Sequence, residues 1–389
     1  MTGINQAITE SAPKVRSAED MATRRKSDSE GFRLISPAPP TTKRGHTSKP
    51  ALRDCIFGLA VGDALGVPYE FRPRGTFECT DMIGYGTHGQ PAGTWSDDTS
   101  MTLATCDSIR ELGHIDTADM RDKFVGWIDR GEYTIDGVFD YGGTTTRALR
   151  SGKGGSGERD NGNGSLMRIA PLAFTDATDE EICEVSAITH AHRTSTDACV
   201  IFVELMKGVM NGALPSWALH LKDVPEHEIR SGGFVRDTLK AATWCFVNTT
   251  SYEECVLTAV NLGDDTDTTA AVAGALAGVA YGMDAIPQEW VDTLRGKELI
   301  ESCLFRHHAS NKAGGIMERK TANIDEFQMD EYEIPLLPAG LKEEGNLYVL
   351  PDGRYLPCGV YRTADGGSLI YEPSELSTFG RMLAQFKES

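Results

Sequence analysis

The chain is poor in features that mark several large protein classes. Positive charge is scarce: 38 Lys and Arg stand against 57 Asp and Glu, a formal net charge of −19 over 389 residues. Generic DNA or RNA binding needs a basic surface, so a nucleic-acid partner is not expected. No Cys-x-x-Cys pair occurs, and the nine cysteines are scattered and odd in number. That argues against a disulfide framework or a zinc site and for a reducing, cytoplasmic location. The opening MTGINQAITESAPKVRS has no apolar core, so no secretory leader is read there. The longest small-apolar run, Ala270 to Met283, falls short of the roughly 20 residues a bilayer span requires. It reads as a tightly packed core helix, and no membrane partner is expected.

The sequence has 40% apolar residues, enough for a sizeable core in one large domain or two ordinary ones. Three regions differ in character. Residues 1–50 hold nine Lys and Arg against five Asp and Glu, a net +4, so the remainder carries −23 of the total −19. This basic arm has little hydrophobic periodicity and ends in SPAPPTTKRGHTSKP. Such a composition stays disordered alone or orders on a partner; the island Gly31-Phe32-Arg33-Leu34-Ile35 is its candidate docking segment. Residues 51–320 read as all-α. Leu52, Cys55, Ile56, Leu59 and Ala60 recur at helical spacing, as do Met101, Leu103, Cys106, Ile109 and Leu112. Further helices are expected over Ile182 to Ala187, Cys199 to Val209, Val235 to Trp244 and Tyr252 to Val260. Gly84 to Gly93, Gly142 to Gly143 and Gly152 to Gly164 read as loops. Residues 321–389 form a small β-rich appendage. One hairpin is expected across Tyr348 to Leu356, another across Val360 to Tyr371, and a last helix over Glu375 to Lys387.

Two acidic turns carry the chemistry. Ser96-Asp97-Asp98-Thr99 and Asp264-Asp265-Thr266-Asp267-Thr268-Thr269 each open onto an apolar helical run. Oxygen-only ligands of this kind suit Mg²⁺ or Mn²⁺. Each turn alone is explicable as a helix cap. Three carboxylates within four residues, however, exceed what a cap needs, and a cation is their natural compensation. Upstream, GLAVGDALGVPYEF (58–71) places glycines at 58, 62 and 66 on one helix, where they allow close packing. Asp63 on that helix is read as a structural hydrogen-bonding residue, and Glu70, beyond Pro68, as a site residue. Asp160 to Pro171 reads as a polar Gly/Asn loop followed by a helix, a loop type that lets backbone amides approach a ligand. Thr189-His190-Ala191-His192 precedes an apolar helix; taken alone, such a His pair is more often structural.

In this order, GLAVGDALGVPYEF (58–71), GTWSDDTSMTLA (93–104), GNGSLMRIAPLA (162–173), ITHAHRTSTDA (188–198) and LGDDTDTTAAVAGALAG (262–278) resemble the ADP-ribosylglycohydrolase family. The resemblance covers roughly residues 51–310. It implies a compact all-α domain with a dinuclear Mg²⁺ or Mn²⁺ centre held by Ser96, Asp97, Asp98, Asp265, Asp267 and Thr268. It implies Asp160 as first and Glu70 as second candidate for proton transfer, with Asn163, Gly164, Ser165 and His190 along the ligand. It also implies removal of ADP-ribose from a modified protein side chain, an arginine in the first instance, with the metals holding the ribose hydroxyls and positioning a water. Two positions depart from the family pattern: Ser96 for Thr, and Asp264 for Gly. The basic arm is similar to that of bacterial immunity proteins paired with ADP-ribosyltransferase toxins. That implies a cognate toxin as partner, with an arginine such as Arg33 mimicking substrate. The alternatives are an occluding immunity protein with little hydrolysis, or a regulatory hydrolase of the nitrogenase type.

Overall fold

The computed structural model describes residues 50–306, with 328, 336, 338–344, 347–351, 359–362 and 368–371. In these, twelve α-helices follow one another: α1 (Leu52–Gly66), α2 (Asp97–Leu112), α3 (Thr117–Arg130), α4 (Gly143–Ser151), α5 (Asp179–Ala187), α6 (Arg193–Met210), α7 (Ser216–His220), α8 (Val235–Asn248), α9 (Tyr252–Asn261), α10 (Thr266–Tyr281), α11 (Gln288–Thr293) and α12 (Lys297–Cys303). Four short strands follow, β1 (Lys342–Glu344), β2 (Leu347–Val349), β3 (Gly359–Arg362) and β4 (Ser368–Tyr371). The fold is all-α, as the periodicity predicts, and the helices expected from apolar spacing at Leu52, Met101, Ile182, Cys199, Val235 and Tyr252 are all present.

The centre is the antiparallel pair α1 and α10. Both are apolar around most of their circumference and are buried almost end to end. Their contact is backbone on backbone. A Cβ added to Gly58 would lie 2.4 Å from the Gly274 carbonyl oxygen, one on Gly62 2.1 Å from that of Ala270, and one on Gly66 2.4 Å from the Cα of Asp267. The glycines therefore act by admitting close approach. Tyr252 of α9 closes the seam by donating its hydroxyl to the Gly58 carbonyl at 2.6 Å. Because the pair is antiparallel, the C-terminal end of α1 meets the N-terminal end of α10.

Two local expectations are corrected. Asp160 to Pro171 forms turns and then a 3₁₀ helix (Ala170–Phe174), not an α-helix. Its backbone is engaged elsewhere: the Asn163 amide donates to the Gly233 carbonyl and the Asn161 carbonyl accepts from Val235. Pro171, near the start of that turn, brings no N–H. Gly143 in turn begins α4 rather than a loop. The three threonines after it hide a buried stripe of Thr145, Ala148 and Leu149.

The β-rich reading of the C-terminal region meets two antiparallel hairpins. β3 and β4 form the second expected hairpin, with Val360 opposite Ile370. β2 pairs instead with β1, which precedes it, Glu344 opposite Leu347. Tyr355 and Leu356, the segment expected to pair with β2, lie outside the described residues, as do 375–387 and residues 1–49. The eight described cysteines are all unpaired. No described helix is long and apolar enough to cross a membrane.

Candidate metal centre and active site

The N-termini of α2 and α10 converge on the C-terminal end of α1. Helix N-termini carry partial positive charge and free amides, which suits carboxylates. Ser96 caps α2, its hydroxyl accepting from the Asp98 amide at 3.3 Å and donating to Asp98 Oδ2 at 3.1 Å. Thr268 of α10 donates its hydroxyl to the same Asp98 Oδ2 at 3.3 Å. The two acidic turns, 170 positions apart along the chain at this contact, thus meet directly. Asp63 is the clamp between α1 and α2. Its carboxylate accepts from the Ser96 amide at 2.9 Å, the Thr99 amide at 3.0 Å and the Thr99 hydroxyl at 2.6 Å. The hydrogen-bonding role read for Asp63 is the one seen.

Two groups of potential ligand atoms form here, each within 4.8 Å: Glu70, His88, Asp140 and Asp267, and Asp63, Asp98 and Asp267. Asp267 belongs to both. Asp98 Oδ1, Asp265 Oδ1 and Asp267 Oδ2 are buried with no hydrogen-bond partner. A buried carboxylate oxygen left bare is costly, and several together repel. Burial pushes the Asp97, Asp98 and Asp267 carboxyls well above the ordinary range, and the neighbouring carboxylates push them further. Burial also raises Asp63 to about 6, against the hydrogen bonds from Thr99 and Ser96. The donor set fits a hard divalent cation: apart from the His88 nitrogen its candidate ligand atoms are oxygens, with excess negative charge and bare lone pairs.

The raised carboxyls set how the metal-free protein responds to pH. Glu70, raised by burial to about 7, and Asp63 bind protons more readily folded than unfolded. Stability is therefore lowest above pH 7 and rises as pH falls through 7 and 6, by roughly 3 kcal/mol between pH 7.5 and 5.5. Thermal melts in chelator at pH 5.5 and 7.5 should show the higher Tm at the lower pH. Millimolar Mn²⁺ should reverse that order by stabilising the ionised site.

Glu70, 5% exposed, is hydrogen-bonded and ion-paired to His88 Nε2. That contact raises the imidazole, while burial alone would lower it. Neither His88 nor Asp140 was singled out by sequence reasoning. His88 stands in the Gly84–Gly93 loop, where Gly86 at φ +57 lets the backbone cross Pro68; a Cβ there would lie 2.0 Å from the Pro68 carbonyl oxygen. Asp140, itself at φ +47, is carried by the loop after α3. That loop is anchored by Tyr133 donating to Asp107 at 2.8 Å and by the Asp136–Arg295 ion pair. Irregular loops have no period to read, and the only signal was the density of glycine near His88.

The remaining predicted residues fall on a second wall. Asn163 donates to Asp265 Oδ2 at 2.8 Å and to the Thr238 hydroxyl at 2.9 Å, joining the polar loop to the second acidic turn. Gly164 packs on His190, where a Cβ would lie 2.9 Å from the ring Cε1. Buried Ser165 accepts from the Ser186 hydroxyl at 2.9 Å. Burial holds His190 down to about 3, with the Arg168 charge adding to the effect. Asp160 is differently placed. It accepts from the Gly157 amide at 3.0 Å and pairs with Arg147 at 2.8 Å, and these contacts hold its carboxyl below the usual range. Among the described residues, neither group of candidate ligands includes it.

The departure at Asp264 is a matter of backbone. The residue lies at φ +61, in the left-handed region, with its side chain exposed. Its amide donates to the Arg72 carbonyl at 2.9 Å and its carbonyl accepts from Phe71 at 2.7 Å, tying the second turn to the segment after Glu70. Asp tolerates this conformation better than most non-glycine residues. Arg74 fixes the same corner by donating to the carbonyls of Leu262, Glu226 and Ile229.

The sequence model of the family described as ADP-ribosylglycohydrolase matches residues 45–315. An ADP-ribosylarginine hydrolase Tri1 of Pseudomonas putida (strain GB-1) is 34% identical over 279 residues, covering 64% of this chain and 75% of that protein. The ADP-ribosyl-[dinitrogen reductase] glycohydrolase of Rhodospirillum rubrum is 31% identical over 266 residues, covering 61% of this chain and 88% of that protein. A solved structure described as an ADP-ribosylglycohydrolase-related protein complex superposes with a TM-score of 0.54 at 31% identity, covering 64% of this chain and 94% of that one. The chain belongs to the ADP-ribosylglycohydrolase family and is a glycohydrolase.

Proposed function

We propose that this protein hydrolyses the N-glycosidic bond between ADP-ribose and the arginine side chain of a modified protein, with two Mg²⁺ or Mn²⁺ ions in its acidic centre. The observation that carries the reading is the set of bare, buried carboxylate oxygens on Asp98, Asp265 and Asp267. The arginine linkage rests on relatives named as ADP-ribosylarginine hydrolases, 34% identical to this chain. Ser96, Asp97, Asp98, Asp265, Asp267 and Thr268 would hold the metals. When bound, these would bind ribose hydroxyls and acidify a water. Asp63 keeps α1 and α2 in place, and Asn163 orients Asp265.

The reaction forms a bond from water oxygen to C1″, breaks the C1″–N bond, and delivers a proton to the departing guanidine nitrogen. Glu70 is the residue for that proton. It is buried, hydrogen-bonded to His88 and near half-protonated at neutral pH, the condition a group needs to give and take a proton efficiently. Asp140 faces the same group of atoms. Asp160, the first candidate by sequence, is ionised and engaged by Arg147, and this reading gives it a part at the wall of the cleft, not in proton transfer.

A release assay tests the proposal. Free ADP-ribose should appear from arginine-modified protein with added Mn²⁺ or Mg²⁺ and fall to background in chelator. Release from serine-modified protein alone would overturn the arginine assignment. The basic arm supports a second activity, binding a cognate ADP-ribosyltransferase toxin, because its +4 charge contrasts with the −23 of the rest. Removing residues 1–45 should then weaken toxin binding and leave ADP-ribose release unchanged. Equal binding by the shortened chain would sink that reading.

A further inference from the structure

A fully buried arginine lies behind the ligand-facing wall. Arg168, 0% exposed, stacks over the Phe124 ring with its guanidinium carbon 4.6 Å from the centroid. It donates to the Val185 carbonyl from both terminal nitrogens at 3.3 Å and to the Thr189 hydroxyl oxygen at 2.8 Å. That hydroxyl oxygen lies 2.9 Å from His190 Nδ1. Thr189 and His190 are both buried, at 0% and 2% exposure.

Donor and acceptor capacity decides the direction of this chain. A guanidinium only donates, so the Thr189 oxygen must accept from Arg168. The hydroxyl proton is then free to point at Nδ1, the other partner the hydroxyl has in the structure. If Nδ1 carried a proton instead, Thr189 would accept twice and leave its own buried proton without an acceptor, an arrangement disfavoured by the desolvation of an unpaired donor. Burial and the Arg168 charge keep His190 neutral at pH 7, so the ring carries a single N–H. We propose that Arg168 and Thr189 act as positioning residues that fix His190 in the Nε2–H tautomer, presenting one hydrogen-bond donor to a ligand acceptor at the Gly162–Gly164 loop. Glycine keeps that edge of the ring free of a side chain: a Cβ at Gly162 would stand 3.4 Å from His190 Nε2. The ligand part of this inference rests on the ADP-ribose reading above, whereas the tautomer belongs to the free protein.

Histidine nitrogen NMR on the full chain separates the two. Protonated and bare ring nitrogens resonate far apart, and a His190→Gln sample assigns the signal. The expected result is a bare Nδ1 and a protonated Nε2 in the free protein. A proton on Nδ1 overturns the proposal, whatever the activity. Adding ADP-ribose should shift the Nε2 signal. A matching shift with adenosine assigns the acceptor to the nucleoside, and a shift with ADP-ribose only assigns it to the diphosphate portion. No shift with either overturns the outward-facing donor. Thr189→Val should mix the tautomers and raise KM by about tenfold with kcat within about twofold. Thr189→Ser, which keeps the hydroxyl, should restore both the spectrum and KM. A valine variant with the wild-type spectrum and KM would refute the relay. A complete lack of hydrolysis would count against the proposed function while leaving the tautomer result to decide this one.

Discussion

Asp267→Asn is expected to abolish turnover while making the metal-free protein harder to melt. Asp267 is the carboxylate common to both groups of candidate ligand atoms, and its Oδ2 is buried without a partner. Asparagine keeps the shape and an oxygen for the Thr268 amide that now donates to Oδ1 at 2.9 Å. It loses the charge that would bind a divalent cation. Loss of the centre should lower release of ADP-ribose at least about 10³-fold. Without metal, the same change removes one of several buried carboxylates that burial first, and their neighbours' charge second, push well above the ordinary range. The variant in chelator at pH 7.5 should therefore unfold later than wild type, by roughly 1–3 kcal/mol. Opposite signs for activity and stability are the diagnostic. Activity within tenfold of wild type, or a lower metal-free Tm, would contradict the assignment of Asp267.

Gly62→Ala is the second large effect, and it acts through the helix seam and not by removing a candidate ligand. The added methyl would stand 2.1 Å from the Ala270 carbonyl oxygen and 2.7 Å from its carbon, both backbone atoms in the middle of α10. No rotamer change can relieve such a contact, so α1 and α10 must separate. Overpacking of this kind costs about 3 kcal/mol or more. The displacement also reaches the site, since α1 carries Asp63 and α10 carries Asp267 and Thr268. A shift of about 1 Å in such groups costs about 10²-fold in rate. Gly232→Ala is the control: nothing lies within 4 Å of its Cβ position, and stability should change by less than about 0.5 kcal/mol. Equal denaturation midpoints for Gly62→Ala and wild type would show that the helix seam is looser than described.

What the sequence determined by itself is what short-range pattern carries. Helical periodicity marked the core helices, and the glycines at 58, 62 and 66 marked a closely packed face on α1, whose partner α10 only the structure supplied. The acidic turns were legible because each packs its carboxylates and hydroxyls into a few consecutive residues, next to the helix start that displays them. The helix expected after Asp160 is a 3₁₀ turn, because the backbone of Asn161 and Asn163 is bonded to Val235 and Gly233 at the start of α8. Only the tertiary structure decided the rest. His88 and Asp140 reach Glu70 from loops without period, held by contacts to residues far along the chain. Asp160 sits in the right stretch of sequence yet is turned to Arg147, because side-chain direction in a loop is set by its neighbours in space and not by spacing. Asp264 shows the same division: the sequence marked it as a departure, and the left-handed backbone at φ +61 showed that the conformation of the turn is what it concerns.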